Sequence, residues 1–291
     1  MTPALYRAFS TQAQIDAQYN PSIGLADPSA PGRHYAAQAQ RARETLPCLA
    51  DVPYGPTRAE TLDIYPAPAR TDGRRSPVFI FFHGGYWRAF AARDFAGVAL
   101  GLHARGITTV VPNYALCPWV AIDEITRQAR AAAAWVLRNI GAHGGDAARV
   151  AIGGHSAGGH LAAMCLLTPW ESDYGLPRDP FAAALLFSGL YDLAPLRYSY
   201  LQPLIQLDDG VIRRQSPLLQ LRACATPAWT TWGSRESAEF ARQSQAFDAA
   251  WTGAGNVGRL APIADADHFE VIHGLEDPDS EACSWLATRL D

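Results

Sequence analysis

The stretch that decides the fold is Arg149-Val150-Ala151-Ile152-Gly153-Gly154-His155-Ser156-Ala157-Gly158. Its apolar first part, 149–152, runs directly into the pattern GHSAG at 154–158, and a helix-like stretch of small residues follows. This context is typical of a strand that turns sharply into a helix with a serine at the turn. Glycines two residues before and two residues after that serine carry no Cβ that could obstruct the turn. The sequence therefore predicts that Ser156 is a nucleophile whose hydroxyl is held out of the sheet.

Strand and helix patterns alternate on both sides of this turn. The continuous apolar runs at 77–82 and 181–187 are typical of strands buried on both faces of a mainly parallel sheet. Apolar residues recur at near-helical spacing at Ile122, Ile125, Ala129, Val136 and Ile140. Further strand patterns lie at 61–65, 108–111, 228–232 and 257–262, and further helix patterns lie at 93–105, 238–251 and the C-terminus. We therefore predict an α/β fold with a mostly parallel, twisted sheet of about eight strands and helices on both faces.

Length and composition indicate one domain. With 48% hydrophobic and 18% charged residues, the 291-residue chain can bury a full core, so we assign 1–291 to a single domain. Residues 1–50 are rich in Gln, Ala and Pro and show no strand pattern, which predicts an arm with short helices. The stretch 189–222 contains three prolines and little periodicity, which indicates an irregular, cap-like excursion between strands.

Charge and cysteine usage exclude several classes of protein. The formal net charge is -4 and no run of Lys or Arg occurs, so a nucleic-acid partner is not expected. The five cysteines are odd in number, widely spaced and form no Cys-x-x-Cys pair, which argues against a disulfide framework or a zinc site. We find no signal peptide and no apolar run long enough to span a bilayer. We therefore expect a soluble, cytoplasmic protein without a membrane partner.

A serine hydroxyl needs a base to become a good nucleophile, and histidine suits that role near neutral pH. Among eight histidines, His268 is the preferred base because it lies in the loop ADADHF at 264–269, directly after the last predicted strand. Loops at the carboxyl ends of parallel strands converge on one face of the sheet, where Ser156 is expected. His155, His160 and His273 are the alternatives, and we interpret them as packing, structural or exposed residues.

The acid of such a site should follow the strand at 228–232, where GSRESAEF at 233–240 carries two carboxylates. We assign Glu236 to orient the base, while Glu239 is better explained as an acid that favours a helix start. Asp265 and Asp267 remain alternatives, although their closeness to His268 in the sequence favours a role in shaping its loop. The chain order serine, acid, histidine is the order expected of an α/β-hydrolase.

The pattern HGGYW at 83–87 stands immediately after the strand at 77–82. Glycines at this point allow main-chain amides to turn into a cleft beside Ser156. The amides of Gly84 and Gly85, together with that of Ala157, are predicted to form an oxyanion hole. We expect His83 to anchor the loop rather than to react.

These pieces together resemble the α/β-hydrolases, and within them the arylformamidase group, also called kynurenine formamidases, which is related to the hormone-sensitive-lipase-like esterases. The resemblance covers most of the chain from about residue 51, and its specific motifs are HGGYW at 83–87, GHSAGGHL at 154–161, SGLYDL at 188–193 and ESAEFARQS at 236–244. The Tyr-Trp pair separates this group from esterases with a third glycine at position 86. Glu236 stands where the animal enzymes usually carry aspartate. Residues 12–21 are similar to the family's amino-terminal segment that packs over the site.

The resemblance implies a two-step acyl transfer without metal or organic cofactor, most simply hydrolysis of N-formyl arylamines such as N-formylkynurenine to formate and the free amine. The aromatic residues Tyr86, Trp87 and Tyr191 would then contact the ring of a small-molecule substrate. A carboxylesterase acting on small aryl or acyl esters is the nearest alternative, because the same groups serve both reactions. A catalytically silent binding protein is a more distant one. The oligomeric state stays open, with a homodimer among the alternatives.

Overall fold

One sheet forms the centre of the fold in the computed structural model, which describes residues 4–291. Its strands, in chain order, are β1 (Leu49–Pro53), β2 (Thr61–Tyr65), β3 (Ser76–Phe82), β4 (Thr108–Pro112), β5 (Gly145–His155), β6 (Ala183–Phe187), β7 (Ala228–Thr231) and β8 (Gly258–Leu260). Within the described residues these eight strands lie in the order β1-β2-β4-β3-β5-β6-β7-β8. The β1-β2 and β2-β4 pairs are antiparallel, and the other neighbouring pairs are parallel. The predicted mostly parallel sheet is confirmed.

Helices connect the strands and flank the sheet. They are α1 (Gln12–Tyr19), α2 (Ala30–Thr45), α3 (Ala99–Ala104), α4 (Ile122–Asn139), α5 (Ala157–Leu166), α6 (Trp170–Tyr174), α7 (Gln202–Ile205), α8 (Asp209–Gln215), α9 (Ala238–Gly253) and α10 (Glu281–Leu290). Short 3-10 helices lie at Ala92–Val98, Ile140–His143, Ala194–Tyr198, Pro217–Leu219 and Glu270–Glu276. The stretch 189–222 therefore contains short helical turns and no strand.

The central strand β3 shows why the sheet is covered on both sides. All seven of its residues are buried. Ile80 and Phe82 belong to one hydrophobic core, whereas Phe79 and Phe81 belong to a second. Successive side chains of a strand point to opposite faces, so the two cores lie on opposite sides of the sheet. A continuous apolar run in the sequence is the expected mark of such a strand.

Two segments differ from the sequence-based expectation. β1 falls at the end of the predicted arm, where no strand was expected, because it is an exposed edge strand without an apolar pattern. The helix predicted at 93–105 is instead a 3-10 helix followed by the short α3. The arm also contains the 16-residue α2, which is longer than the short helices expected there. The first three residues of the predicted arm lie outside the described part of the chain.

Two further observations concern the cysteines and the helices. Each of the five cysteines, all of which fall within the described residues, is free. Across residues 4–291, no helix combines the length and the apolar character that crossing a membrane requires.

Candidate active site

Ser156 lies at the sharp turn between β5 and α5. Its backbone has φ 56° and ψ -117°, a strained conformation for a residue with a side chain, and its amide donates to the carbonyl of Phe187 at 2.8 Å. A Cβ placed on Gly154 would lie 2.3 Å from the carbonyl oxygen of Gly158, and one on Gly158 would lie 1.9 Å from that of Phe82. Only glycine fits at these two positions, so the pattern GHSAG is explained by the close approach of β3, β5 and α5.

His268 and Glu236 form a buried pair at the carboxyl end of the same sheet. The two residues follow β8 and β7, and His268 Nδ1–H donates to Glu236 Oε2 at 2.6 Å. The Glu236 side chain has no exposed surface. Its other oxygen, Oε1, accepts from the amide of Gly233 at 2.6 Å and from the hydroxyl of Ser188. Both carboxylate oxygens are therefore committed, and the carboxylate is held in one orientation.

His155 ties the loop that carries His268 to the turn that carries Ser156. His155 Nε2–H donates to the carbonyl oxygen of His268 at 2.7 Å, and the two rings lie 4.6 Å apart. Burial lowers the pKa of His155 well below 6.5, so this ring stays neutral near pH 7. Ser156 and His268 consequently open into the same cavity.

The loop after β3 brings free amides to the serine. A Cβ on Gly84 would lie 3.0 Å from His155 Nδ1 and 3.3 Å from the Cβ of Ser156, so the Gly84 backbone is adjacent to the turn. Gly85 has φ 111°, a conformation that favours glycine. Within residues 4–291, the amides of Gly84, Gly85 and Ala157 have no hydrogen-bond acceptor. These three donors remain available to a ligand.

His83 holds this loop in place. Its Nδ1–H donates to the carbonyl oxygen of Gly84 at 2.7 Å, so the N–H of Gly85, which belongs to the same trans peptide, points in the opposite direction. Tyr114 stacks on the His83 ring at 4.2 Å and donates its hydroxyl to the His83 carbonyl at 2.7 Å. Burial lowers the pKa of His83 to about 4. A neutral, buried histidine with these contacts fits the anchoring role expected from the sequence.

A cavity of about 440 Å³ opens above Ser156 and is of a size to hold one small aromatic molecule. Its wall is rich in aromatic side chains, namely Tyr35, Tyr86, Phe90, Phe95, Tyr200 and Phe269. Polar contributions come from Asn20, Ser22, Arg88, His155 and His268. Of these rings, only Tyr86 was expected from the sequence. Phe90 and Arg88 follow the HGGYW pattern within a few residues, whereas Tyr35 and Tyr200 come from distant segments without a sequence signal.

Comparison with known proteins places this chain in a family. A family model for the α/β hydrolase fold matches residues 79–231. The kynurenine formamidase of Danio rerio is 32% identical over 290 residues, which cover 95% of this chain and 94% of the relative. The chain is an α/β-hydrolase of the kynurenine formamidase family. The fold and the family expected from the sequence are thereby confirmed.

Other relatives of this hydrolase are esterases by name. Esterase LipQ of Mycobacterium tuberculosis is 32% identical over 246 residues, which are 77% of the hydrolase and 55% of LipQ. A crystal structure from Silicibacter sp. TM1040, provisionally described as a thioesterase, matches with a TM-score of 0.82 at 26% identity. That match covers 93% of the hydrolase and 98% of the other chain.

Two of the three aromatic residues expected to contact substrate do not reach the cavity of the hydrolase. Trp87 is 0% exposed and its indole N–H donates to His160 Nδ1 at 3.2 Å, on the core side of the loop. Tyr191 is 0% exposed and stacks on Phe247 with 4.3 Å between ring centroids. The expectation for Trp87 and Tyr191 is therefore corrected, because both rings are packed in the core. Tyr86 does line the cavity, and its hydroxyl donates to the carbonyl oxygen of Tyr19.

The alternative bases are occupied elsewhere. His160 accepts from Trp87 and donates Nε2–H to the carbonyl oxygen of Gln215 at 2.7 Å, and burial lowers its pKa to about 4. His273 stacks on His34 at 3.8 Å, away from Ser156. Neither ring lines the cavity.

The alternative acids also have other partners. Glu239 accepts from the Tyr19 hydroxyl at 2.6 Å and forms an ion pair with Arg242. Asp267 accepts from the amides of Phe269 and Glu270 at 2.8 and 3.0 Å, so it shapes the loop that follows His268. Asp265 donates its amide to the Ser234 hydroxyl at 2.9 Å, and the imidazole Nδ1 is paired with Glu236 instead. Of the carboxylates weighed from the sequence, Glu236 is the one paired with His268.

One group of side chains in the described part of the hydrolase has the composition of a metal site. His34, His273 and Glu276 have ligand atoms within 4.8 Å of one another. His34 donates to Glu276 at 2.9 Å, which joins α2 to the 3-10 helix Glu270–Glu276. The group lies outside the wall of the cavity that contains Ser156.

Proposed function

We propose that this hydrolase removes the formyl group from N-formylated aromatic amines, N-formylkynurenine among them, with Ser156 as the nucleophile. The observation that carries the proposal is the buried His268–Glu236 pair opening with Ser156 into one aromatic-walled cavity. Similarity to a kynurenine formamidase over nearly the whole length supports the same substrate class. The proposed reaction is acyl transfer through a formyl-enzyme.

In the first step, His268 Nε2 accepts the hydroxyl proton of Ser156 while the serine Oγ attacks the formyl carbon. His268 Nδ1–H donates to Glu236 at 2.6 Å, which selects the tautomer with a free lone pair at Nε2. The same carboxylate stabilises the imidazolium that forms. It keeps its charge throughout, because the proton stays on the imidazole.

Negative charge develops on the formyl oxygen as the tetrahedral intermediate forms. The amides of Gly84, Gly85 and Ala157 are the donors we assign to this oxygen. Their availability and the contact of Gly84 with the Ser156 turn support the assignment. Donors that are already oriented stabilise the transition state without further reorganisation.

Collapse of the intermediate breaks the carbon–nitrogen bond, and His268 gives its proton to the departing nitrogen. An arylamine is a weak base whose lone pair is delocalised into the ring, so it leaves with less assistance than an alkylamine. Water then attacks the formyl ester of Ser156, again with His268 as base, and formate is released. The serine recovers its proton and the cycle closes.

The small acyl group and the aromatic leaving group match the shape of the site. Ser156 is only 2% exposed, so little room surrounds the nucleophile, while the outer wall offers Tyr86, Phe90 and Tyr200 to a ring. We further propose that the arm, residues 1–50, and the excursion 189–222 act as walls of the site. The positions of Asn20 and Tyr200 in the cavity lining support this proposal.

Cleavage of small aryl or acyl esters is the alternative, and the similarity to an esterase of Mycobacterium tuberculosis favours keeping it. The test compares kcat/KM for N-formyl-L-kynurenine and p-nitrophenyl acetate, with Ser156→Ala as the control. We expect the formamide to be preferred and Ser156→Ala to lower kcat about 10⁶-fold on both substrates. Ester cleavage without formate release would reject the formamidase proposal. Unchanged turnover in Ser156→Ala, or failure of a fluorophosphonate to label the wild type, would reject the nucleophile.

A further inference from the structure

The loop that carries the proposed oxyanion glycines also brings a cation to the cavity. Arg88 and Ala89 donate their amides to the carbonyl oxygen of Gly85 at 3.0 and 3.1 Å, which closes a tight turn. Tyr86 and Phe90, on either side, have φ of 50° and 70°. Backbone strain of this kind persists where the surrounding structure requires it, and it is concentrated at functional sites. The backbone from which the Arg88 side chain extends is therefore held in place at the mouth of the cavity.

Arg88 has no anionic partner of its own. Within residues 4–291 its guanidinium forms no ion pair, and its polar contact is with the Tyr200 hydroxyl. The residues that line the cavity include no aspartate and no glutamate. His155, which also lines it, is kept neutral by burial. Arg88 is thus the one permanently charged side chain in the wall of the cavity.

The charge of Arg88 affects two tyrosine hydroxyls of the cavity wall. Burial raises the pKa of the Tyr200 hydroxyl, and the Arg88 guanidinium opposes that shift. It opposes the much larger shift caused by burial of Tyr86 in the same way. Asp16, the carboxylate that acts on Tyr200 in the opposite sense, accepts from the Tyr200 amide at 2.7 Å and forms no ion pair with Arg88. The guanidinium therefore faces the two tyrosines and contacts the Tyr200 hydroxyl, and its other N–H donors have no acceptor among residues 4–291.

We propose that Arg88 is a carboxylate subsite, which binds an acidic group on the arylamine half of the substrate. This inference rests on the proposed deformylation and adds to it the charge that the substrate must carry. A guanidinium presents two parallel N–H donors that match a carboxylate, and charge-assisted hydrogen bonds of this kind are stronger than neutral ones. An aromatic formamide with a carboxylate is consequently preferred over a neutral one, and a cationic one is disfavoured.

The subsite acts on binding rather than on the chemical step. Arg88 is contributed by the wall of the cavity, whereas the groups assigned to bond cleavage are Ser156, His268 and the loop amides. A contact that is equally strong in the ground state and the transition state lowers KM and leaves kcat unchanged. Arg88 is therefore a specificity-determining residue, and its loss should be seen in KM for acidic substrates alone.

The test crosses three substrates with four forms of the full-length hydrolase. N-formyl-L-kynurenine carries the carboxylate, N-formylkynuramine is its decarboxylated, cationic counterpart, and formanilide is neutral. The variants are Arg88→Gln, Arg88→Lys and the control Arg93→Gln, which removes the same charge from an exposed position outside the cavity wall. Formate release gives kcat and KM for each pair.

For Arg88→Gln we expect KM for N-formyl-L-kynurenine to rise about tenfold with kcat within twofold, the loss typical of one exposed charge-assisted contact. KM for formanilide should stay unchanged, and KM for N-formylkynuramine should stay unchanged or fall. Arg88→Lys should recover part of the affinity, because the charge remains without the planar pair of donors. Arg93→Gln should behave as the wild type.

Equal changes of KM for all three substrates in Arg88→Gln would overturn the subsite, since a merely structural role affects them alike. A wild type that releases formate from none of them but cleaves acetate esters would reject the proposed deformylation instead. In that case the subsite is tested by measuring KM for 4-acetoxybenzoate and phenyl acetate, which differ by one carboxylate on the leaving group. Selective loss of 4-acetoxybenzoate binding in Arg88→Gln would support it, and equal loss of both would overturn it.

Discussion

Replacement of Glu236 by glutamine tests the assignment of the acid through the tautomer of the base. In the wild type, Oε1 accepts from the amide of Gly233 and from the Ser188 hydroxyl, while Oε2 accepts from His268 Nδ1–H at 2.6 Å. In Glu236→Gln, the Gly233 amide and the Ser188 hydroxyl would keep the glutamine carbonyl oxygen at the position of Oε1. The amide NH₂ would then face His268 Nδ1.

Two N–H donors cannot face each other at this separation, so the imidazole in Glu236→Gln must present a lone pair at Nδ1 and carry its proton on Nε2. In that tautomer Nε2 cannot accept the proton of Ser156. We expect kcat to fall about 10⁴-fold, the effect of a wrong tautomer in a serine triad. This corresponds to about 5 kcal/mol at the transition state. Because the Glu236 side chain has no exposed surface, water does not substitute for the missing charge.

The assay follows formate release at saturating substrate, with thermal unfolding to show that the variants are folded. Glu239→Gln is the matched control: Glu239 lies three residues further on, is also buried, and binds Arg242 rather than His268. Glu239→Gln should lower the melting temperature and leave kcat close to that of the wild type. Glu236→Asp keeps the charge on a shorter side chain, and its kcat should lie between those of the wild type and Glu236→Gln. A folded Glu236→Gln that retains kcat within tenfold of the wild type would refute the assignment.

Three further predictions concern the loop, the core and acid stability. Gly84→Ala introduces a Cβ 3.0 Å from His155 Nδ1 and 3.3 Å from the Cβ of Ser156, so the loop and the Ser156 turn must separate by a few tenths of an ångström. If this misaligns one oxyanion donor, we expect kcat to fall by up to about 10²- to 10³-fold in steady-state assays. Unaltered kcat would argue against an oxyanion role for this loop. Trp87→Phe removes a buried donor to His160, so the free energy of unfolding, measured in urea, should fall by about 1 to 3 kcal/mol. KM should stay within twofold. An increase in KM without loss of stability would indicate that Trp87 contacts substrate after all. The pKa values of His83 and His160 are about 4 in the folded protein and 6.5 in the reference state, so the unfolded chain binds more protons between these values and stability decreases as pH falls. From pH 7 to pH 5 the loss is about 2 kcal/mol for each ring, measured by urea unfolding at both pH values, and equal stabilities would contradict the neutral, buried state of the two histidines.

The proposed deformylation and the carboxylate subsite depend on different parts of the same loop. Gly84 and Gly85 bring amides to the serine, whereas Arg88, three residues further on, reaches the mouth of the cavity. A substrate bound between them would have its formyl group at the buried end and its charged group at the open end. Selectivity for an acidic arylformamide could therefore change by substitution at Arg88 without any change to the residues proposed for chemistry.

Much of the fold was predictable from local patterns. β3, β4 and α4 correspond closely to the predicted runs at 77–82 and 108–111 and to the helical spacing from Ile122. A strand buried on both faces has a continuous apolar run, and a helix buried on one face has apolar residues at a helical period. β1 was missed because an edge strand exposed to solvent has no such constraint. α2 was underestimated for a similar reason, since its sequence is polar on most positions and only three of its residues are buried.

The sequence by itself determined the Ser156 turn and the glycine loop. These features depend on steric contacts of the backbone, which leave a local record in glycines at fixed spacing. Tertiary structure decided which carboxylate meets the imidazole, since Glu236 and Glu239 have the same chemistry and differ only in the distant groups that surround them. It also separated Tyr86, in the cavity, from Trp87, in the core, although the two are adjacent in the chain. The physical reason is range: backbone sterics act over a few residues, whereas burial and electrostatic pairing join residues that are far apart in sequence.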